Sequence, residues 1–489
     1  MKEKILVPFA PILVESTRSI GYSFEAALAD IIDNSIGSGA KNIKIDFQSL
    51  GKPYISITDD GCGMNEGELD QAMRYGSKSS LDARSDTDLG RFGLGLKTAS
   101  TSQCRKLTVI SKINDDYCGA CWDLDVIKKR SNWVLIKYSE KEIMSILNLG
   151  CLNEFESGTT VIWENFDRIS DSSHNLQKIL DEKIEHARDH VALVFHRYID
   201  SENPRKNISI YFNNEKVMAY DPFLSTSTAT QPLSEEVFKI NGSEVRVKPF
   251  ILPFASKLTA NDRKKLGKLD DLRQNQGFYV YRNKRLIVWG TWFRLIKSHE
   301  LNKLARIRVD IPNTLDSIWE IDVKKSTANI PDLIKKNLLA IVENSIGRSE
   351  RVYKYRGRKV NDEAIQHIWN LVDNRGKYQY LINRDLDLFK ILEKSLDEKD
   401  ADYLNAFINM IEQSFPYQDV YYRIAKNSDG IIQTTIEEDE IYENAVKMIE
   451  TMKIQGMDYM LTVSTLHTID YFKNYPNVIK RIKEEYINE

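Results

Sequence analysis

The chain has 489 residues, 42% of them hydrophobic and 28% charged, with a formal net charge of −3. That length is enough for two or three domains, each with its own core. The near balance of charge argues against a dedicated, always-on nucleic-acid binder, though local or conditional contact with nucleic acid stays open.

The chain starts MKEKILVPFAPILVE. Two lysines and an apolar run have the outline of a secretion signal. However, Pro8 and Pro11 interrupt the run, Glu15 ends it, and no small-residue cleavage site follows. No other apolar stretch approaches the ~20 residues that span a bilayer. A cytoplasmic protein without membrane contact is expected.

A helix is expected from about 23 to 36, with Phe24, Ala27, Leu28, Ile31 and Ser35 as its inward stripe. Asp30, Asp33 and Asn34 then point away from that stripe. Two strands follow, at 43–47 and 54–58, and the second ends in DDGCGM, where the Asp59 carboxylate meets a glycine turn. Further on, DLGRFGLGLKTAS sets Gly90, Gly93 and Gly95 just before a helix, with Lys97 beside them. Free amides at a helix start, with glycines nearby, suit a phosphate. The order is GxxGxG, which matches neither the dinucleotide fingerprint nor the P-loop.

Five cysteines, an odd and low number, point to a reducing compartment rather than a disulfide scaffold. Cys118 and Cys121 form a lone CxxC with no second Cys/His pair at zinc spacing, so they read as structural residues of a strand. In the middle of the chain, 207–214 and 277–290 alternate as strands, the latter turning at Asn283-Lys284. Helical spacing dominates from about 346, where Leu404, Phe407, Ile408, Ile411 and Phe415 form an expected buried face and 436–452 a further amphipathic helix. Three domains are therefore expected: 1–200 and 201–345, both α/β, and a helical region over 346–489.

Taken singly, these features are weak. Asp30 and Asn34 alone read as a solvated helix face, DxGxG as a strand-end turn, and the glycine loop as a connection. Their order, completed by SGTTVIWENFD at 157–167, changes that reading. The set DIIDN, DDGCGM, GRFGLG and GTT resembles the four motifs of the GHKL ATPase superfamily, which groups gyrase B subunits, heat-shock chaperones, histidine kinases and MutL. GTTVIWENF looks most like the MutL version, and GFYVYRNKRLI like the second domain of MORC ATPases. The nearest overall resemblance is to prokaryotic MORC-like proteins, over roughly residues 15 to 345.

The resemblance implies an α+β fold: a Bergerat-type ATP-binding α/β sandwich, a transducer-type α/β domain, and a helical C-terminal region of unknown role. It implies ATP and Mg²⁺ as ligands. Asn34 would ligate Mg²⁺ through its side-chain oxygen, as a hard cation prefers. Asp59 would accept from the adenine amino group, since a carboxylate offers only acceptors. Gly61, Gly63 and Met64 would lie along the base, and Thr159 would help hold the adenine end. Gly93, Leu94, Gly95, Leu96 and Lys97 would wrap the phosphates, with the segment 65–92 as a lid. Lys324 or Lys325, in IWEIDVKKSTANIPD, would reach the γ-phosphate, Lys325 being favoured. Arg285 would support the fold.

Two departures stand out. The superfamily's general base is usually Glu, four residues before the Mg²⁺-binding Asn; here that position is Asp30, one methylene shorter. Slow hydrolysis is the expectation. Gly37 stands where relatives commonly carry an acid. The resemblance further implies an ATP-dependent homodimer closed through the N-terminal stretch 5–14, an ordinary packed strand being the alternative for that stretch. DNA is the implied client, in bacterial genome defence or maintenance, and RVYKYRGRK (351–359) is either a nucleic-acid contact or a solvated connector. The alternative function is a largely non-hydrolysing ATP sensor that recruits protein partners through the C-terminal helices.

Overall fold

The strand patterns of the first 216 residues gather into one eight-stranded sheet. Its strands are β1 (Asn42–Gln48), β2 (Tyr54–Asp59), β3 (Lys106–Ile113), β4 (Asp116–Asp123), β5 (Ile136–Lys137), β6 (Ser157–Glu164), β7 (Ser209–Phe212) and β8 (Glu215–Lys216). They are ordered β5-β4-β3-β6-β2-β1-β7-β8, and only β1 and β7 run parallel. The computed structural model describes residues 3, 8–19, 21–76, 95–146, 151–170, 176–201, 203–253, 258–259, 262, 274–297, 302–316, 318–319, 330–331, 334–335, 337–342, 367–374, 377–420, 437–454, 456 and 458–487. Two compact units make up the chain, Met1–Arg356 and Gly357–Glu489.

In the first unit the helices are α1 (Ala10–Arg18), α2 (Phe24–Gly37), α3 (Glu66–Met73), α4 (Gly95–Gln103), α5 (Leu124–Arg130), α6 (Glu140–Ile146), α7 (Asp167–Ser170), α8 (Leu176–Val194) and α9 (His196–Ile199). Leu28, Ile31 and Ala99 of α2 and α4 join Ile184 and Val191 of α8 in one core with Ile45, Ile57, Val109 and Trp163 of the sheet. β2 lies at the centre, and its side chains are buried on both faces. Ile55 and Ile57 face one way as the alternation predicts, while Ser56 and Thr58 are buried too, Thr58 Oγ1 lying 3.0 Å from Thr160 Oγ1. Burying a hydroxyl is tolerable once it is hydrogen-bonded.

A second sheet follows, from β9 (Gln231–Pro232), β10 (Glu236–Ile240), β11 (Ser243–Ile251), β12 (Gly277–Arg282), β13 (Arg285–Thr291) and β14 (Ala305–Ile311). Its order is β10-β11-β14-β12-β13, with β9 on β11. The expected hairpin is β12–β13. Asn283 and Lys284 turn it with φ of 48° and 71°, the left-handed pair that suits the twist of a hairpin. One face of this sheet has its own core; the other packs Tyr279, Tyr281 and Leu286 against Leu193 of α8. α8 therefore lies against both sheets.

Gly357–Glu489 contains the expected helices Glu398–Gln413 and Glu438–Ile454, and also an antiparallel hairpin, β15 (Trp369–Asn374) and β16 (Lys377–Ile382), that helical spacing does not announce. Ile408 of the first helix is buried, but Phe407 is exposed and Phe415 lies beyond the helix end. The three-four spacing placed that stripe one residue too wide. Among the described residues no helix is long and apolar enough to cross a membrane, and no cluster of His, Cys, Asp and Glu could hold a metal ion.

Candidate functional site: an acid and an amide on α2, a second acid at the end of β2

Ser23 caps α2, its hydroxyl accepting from Ala26 N at 3.2 Å, and Glu25 in the first turn complements the helix dipole. Asp30 and Asn34 follow one turn apart. The structure parts them: Asn34 is exposed, whereas Asp30 and Asp33 are buried. Both acids leave the apolar stripe as expected, yet neither meets solvent. Arg285, first residue of β13, places its Nε 2.8 Å from Asp33 Oδ1 and its Nη2 3.8 Å from Asp30 Oδ1. Tyr22 donates from its hydroxyl to Asp30 Oδ2 at 3.1 Å. Gly95 opens α4 beside the same carboxylate; a Cβ on it would lie 3.5 Å from Asp30 Oδ2. Helix N-terminal amides next to an acid are a favourable electrostatic pairing.

Asp59 ends β2 and is buried. Ser35, one turn below Asp30's neighbour Ile31, donates to Asp59 Oδ2 at 2.7 Å, and the Gly61 amide donates to Oδ1 at 2.9 Å. Burial pushes the Asp59 carboxyl above the usual range; the donors Ser35, Gly61 N and Thr159 N act against that. Across the sheet Asp59 pairs with Thr159 of β6. Ser111 of β3 ties this end together: its Oγ accepts from Met64 N at 2.8 Å and lies 3.0 Å from Gly158 O and 2.9 Å from Thr159 Oγ1. Gly158, at φ 154°, is irreplaceable on geometry, since a Cβ there would sit 2.0 Å from Asp59 O. Gly61 and Gly63 are also fixed by protein contacts: Cβ atoms would lie 2.0 Å from Ser38 Oγ and 2.2 Å from Lys112 O. At Gly37 a Cβ would meet nothing within 4 Å, so the missing acid there has no steric cause.

Leu96 is half-buried against the main core, and Lys97 is buried. The Lys97 ammonium donates to Ala72 O at 2.9 Å, beside Trp122 Nε1 on Met73 O, so both cap the last turn of α3. Burial pulls the Lys97 ammonium down to about 8. The expected lid begins as an ordered helix: Asn65 and Glu68 form a capping box on α3. Gly90, Gly93, Leu94, Lys324, Lys325 and RVYKYRGRK lie outside the described residues.

Gly95 thus adjoins Asp30, Ser35 ties α2 to Asp59, and Ser111 joins Thr159, the cross-strand partner of Asp59, to Met64. Residues 22–159 match the family of histidine kinase-, DNA gyrase B-, and HSP90-like ATPases. Over that span the chain is similar to GHKL-type ATPase domains. Individual relatives agree over short stretches. The DNA mismatch repair protein MutL of Caldanaerobacter subterraneus subsp. tengcongensis is 43% identical over 60 residues, 12% of this chain and 10% of that protein. MutL of Buchnera aphidicola subsp. Acyrthosiphon pisum is 37% identical over 94 residues, 18% and 16% of the two chains. ATPase morc-1 of Caenorhabditis elegans is 30% identical over 88 residues, 18% and 10%. The chain therefore spans only between 10% and 16% of the length of these relatives.

Sequence reasoning missed Tyr22, Ser35 as a partner of Asp59, Ser111 and Gly158. Gly158 had a signal, as the first residue of GTT. Ser111 had none: a serine inside an apolar strand carries no mark of a junction between three segments.

Proposed function

We propose that the first unit binds Mg·ATP and hydrolyses it slowly, with residues 1–200 holding the nucleotide and 201–345 acting as transducer. The observation that supports this most is the Ser35–Asp59 hydrogen bond, which fastens the helix bearing Asp30 and Asn34 to the strand end bearing Asp59. Asp59 accepts from the adenine amino group, with Gly61, Gly63, Met64 and Thr159 around the base. Asn34 is exposed and its side-chain amide oxygen is of the type that suits Mg²⁺, which when bound would neutralise phosphate charge. Gly93 to Lys97 wrap the phosphates, and Lys325 or Lys324 reaches the γ-phosphate. Asp30 takes a proton from the water that attacks the γ-phosphorus, and its shorter reach makes the step slow.

ATP closes a homodimer in this reading. Phe9, Ile12 and Leu13 support it, since they leave an exposed apolar face on the N-terminal helix. DNA is the proposed client, in bacterial genome defence or maintenance, by analogy with mismatch-repair and MORC relatives. Residues 346–489 would recruit protein partners, and the protein would work in the cytoplasm. A second reading, a sensor that holds ATP and rarely cuts it, draws support from the Tyr22 hydroxyl and Arg285 at the two oxygens of Asp30.

Turnover and oligomeric state, followed with ATP and with a non-hydrolysable analogue, test the proposal. Dimers with the analogue, slow turnover in the wild type and none in Asp30→Ala are expected. Equal turnover in wild type and Asp30→Ala would remove Asp30 as base, and dimer-free analogue complexes would remove the clamp.

A further inference from the structure

Arg285 comes from the second sheet, yet its guanidinium is buried against two carboxylates of α2. Asp30 and Asp33 are three residues apart and share a helix face. The guanidinium's Nε holds Asp33, 2.7 Å from Oδ2 and 2.8 Å from Oδ1, and its Nη2 stands 3.8 Å from Asp30 Oδ1. The Phe195 ring lies 5.8 Å from the guanidinium, and His190 of α8 faces the same region. Burial and the charge of Arg285 hold the His190 ring down to about 4, so it adds no charge at physiological pH. If this junction only had to join two layers, apolar side chains would serve as well, because replacing a buried ion pair by well-packed hydrophobic residues is often neutral or stabilising.

We infer that Arg285 is a positioning residue for Asp30, supplied by the second sheet, so that ATP cleavage on α2 depends on where β13 stands. The inference rests on Asp30 being the base. Asp33 is the anchor that fixes the guanidinium plane. At 3.8 Å Arg285 attracts and orients Asp30 Oδ1 without itself donating a hydrogen bond to it, while Tyr22 orients Oδ2. A small shift of β13 would lengthen or close the 3.8 Å contact, and with it the aim of the carboxylate.

The test compares the full-length wild type, Asp30→Ala, Arg285→Lys and the double variant Arg285→Met with Asp33→Leu. The double variant removes Arg285 and its anchor Asp33 together, so that neither is left buried without the other. It is expected to bind a non-hydrolysable ATP analogue with wild-type affinity and an unchanged KM, while kcat falls about tenfold or more, as for a misplaced catalytic group. Lysine keeps the charge but cannot reach both acids, so its kcat should fall between wild type and the double variant at unchanged affinity. A wild-type kcat in either variant, or a joint loss of kcat and affinity, would overturn the positioning role. Should wild type and Asp30→Ala turn over equally, the base assignment itself fails and takes this inference with it. A silent Asp30→Ala beside a wild-type double variant would sink the Arg285 role alone.

Discussion

Ser35 Oγ donates to Asp59 Oδ2 at 2.7 Å, and this one bond spans α2 and β2, the two elements that carry the proposed chemistry and the proposed adenine contact. Ser35 is buried, and besides this bond across the layer boundary its hydroxyl makes a weak 3.4 Å contact to Ile31 O. Hydrogen bonds to charged groups contribute about 1.5–3 kcal/mol, so Ser35→Ala is predicted to destabilise the first unit by about that much. It should also raise the Asp59 proton affinity further and weaken ATP binding. Urea unfolding with nucleotide titration checks both; unchanged values in both would contradict the bridge.

Gly158 gives a second, sharper case. Its φ of 154° and the 2.0 Å approach of a Cβ to Asp59 O leave no room for alanine. Either β6 withdraws from β2 or the backbone strains, and Gly158→Ala should cost about 2–4 kcal/mol. The unfolding midpoint in urea reads it directly, and a wild-type midpoint would show the strands are not held so close.

Lys97 makes stability depend on alkaline pH. Its folded value is lowered to about 8, from an ordinary value of 10.5. Between those values the unfolded chain holds the proton and the folded chain does not, so wild-type stability rises with pH across that window. Relative to Lys97→Met, the wild type should gain up to about 1.4 kcal/mol per pH unit from pH 8 to 10. A flat or falling difference would place the ammonium in a less buried setting than against Ala72 O.

Much of this was legible in the residues. The α2 stripe, the DDGCGM strand end and the Asn283-Lys284 hairpin each carry a local signal, because helical periodicity and left-handed turns restrict residue type. The burial of Asp33 was not legible. Its partner is 252 positions away, and period alone gives the angle of a side chain but not what covers it. The Lys97 contact was not legible for a similar reason: the residue follows a glycine loop in sequence, and its ammonium caps α3, 25 positions away. Phe407 failed differently, since a face of three-four spacing is wider than the strip that Ile408 buries.

The central claim is that α2 and the end of β2 form an adenine-nucleotide site. Calorimetric titration of a non-hydrolysable Mg·ATP analogue into wild type, Asp30→Ala and Asp59→Asn tests it most directly. Asp59→Asn replaces an acceptor by an amide and should bind at least about tenfold more weakly, the cost of a lost charged hydrogen bond. Asp30→Ala should bind as the wild type does. Wild-type binding should also weaken as pH falls, with a midpoint above the ordinary aspartate range because burial raises the Asp59 carboxyl. Equal affinity in wild type and Asp59→Asn at neutral pH would contradict the account.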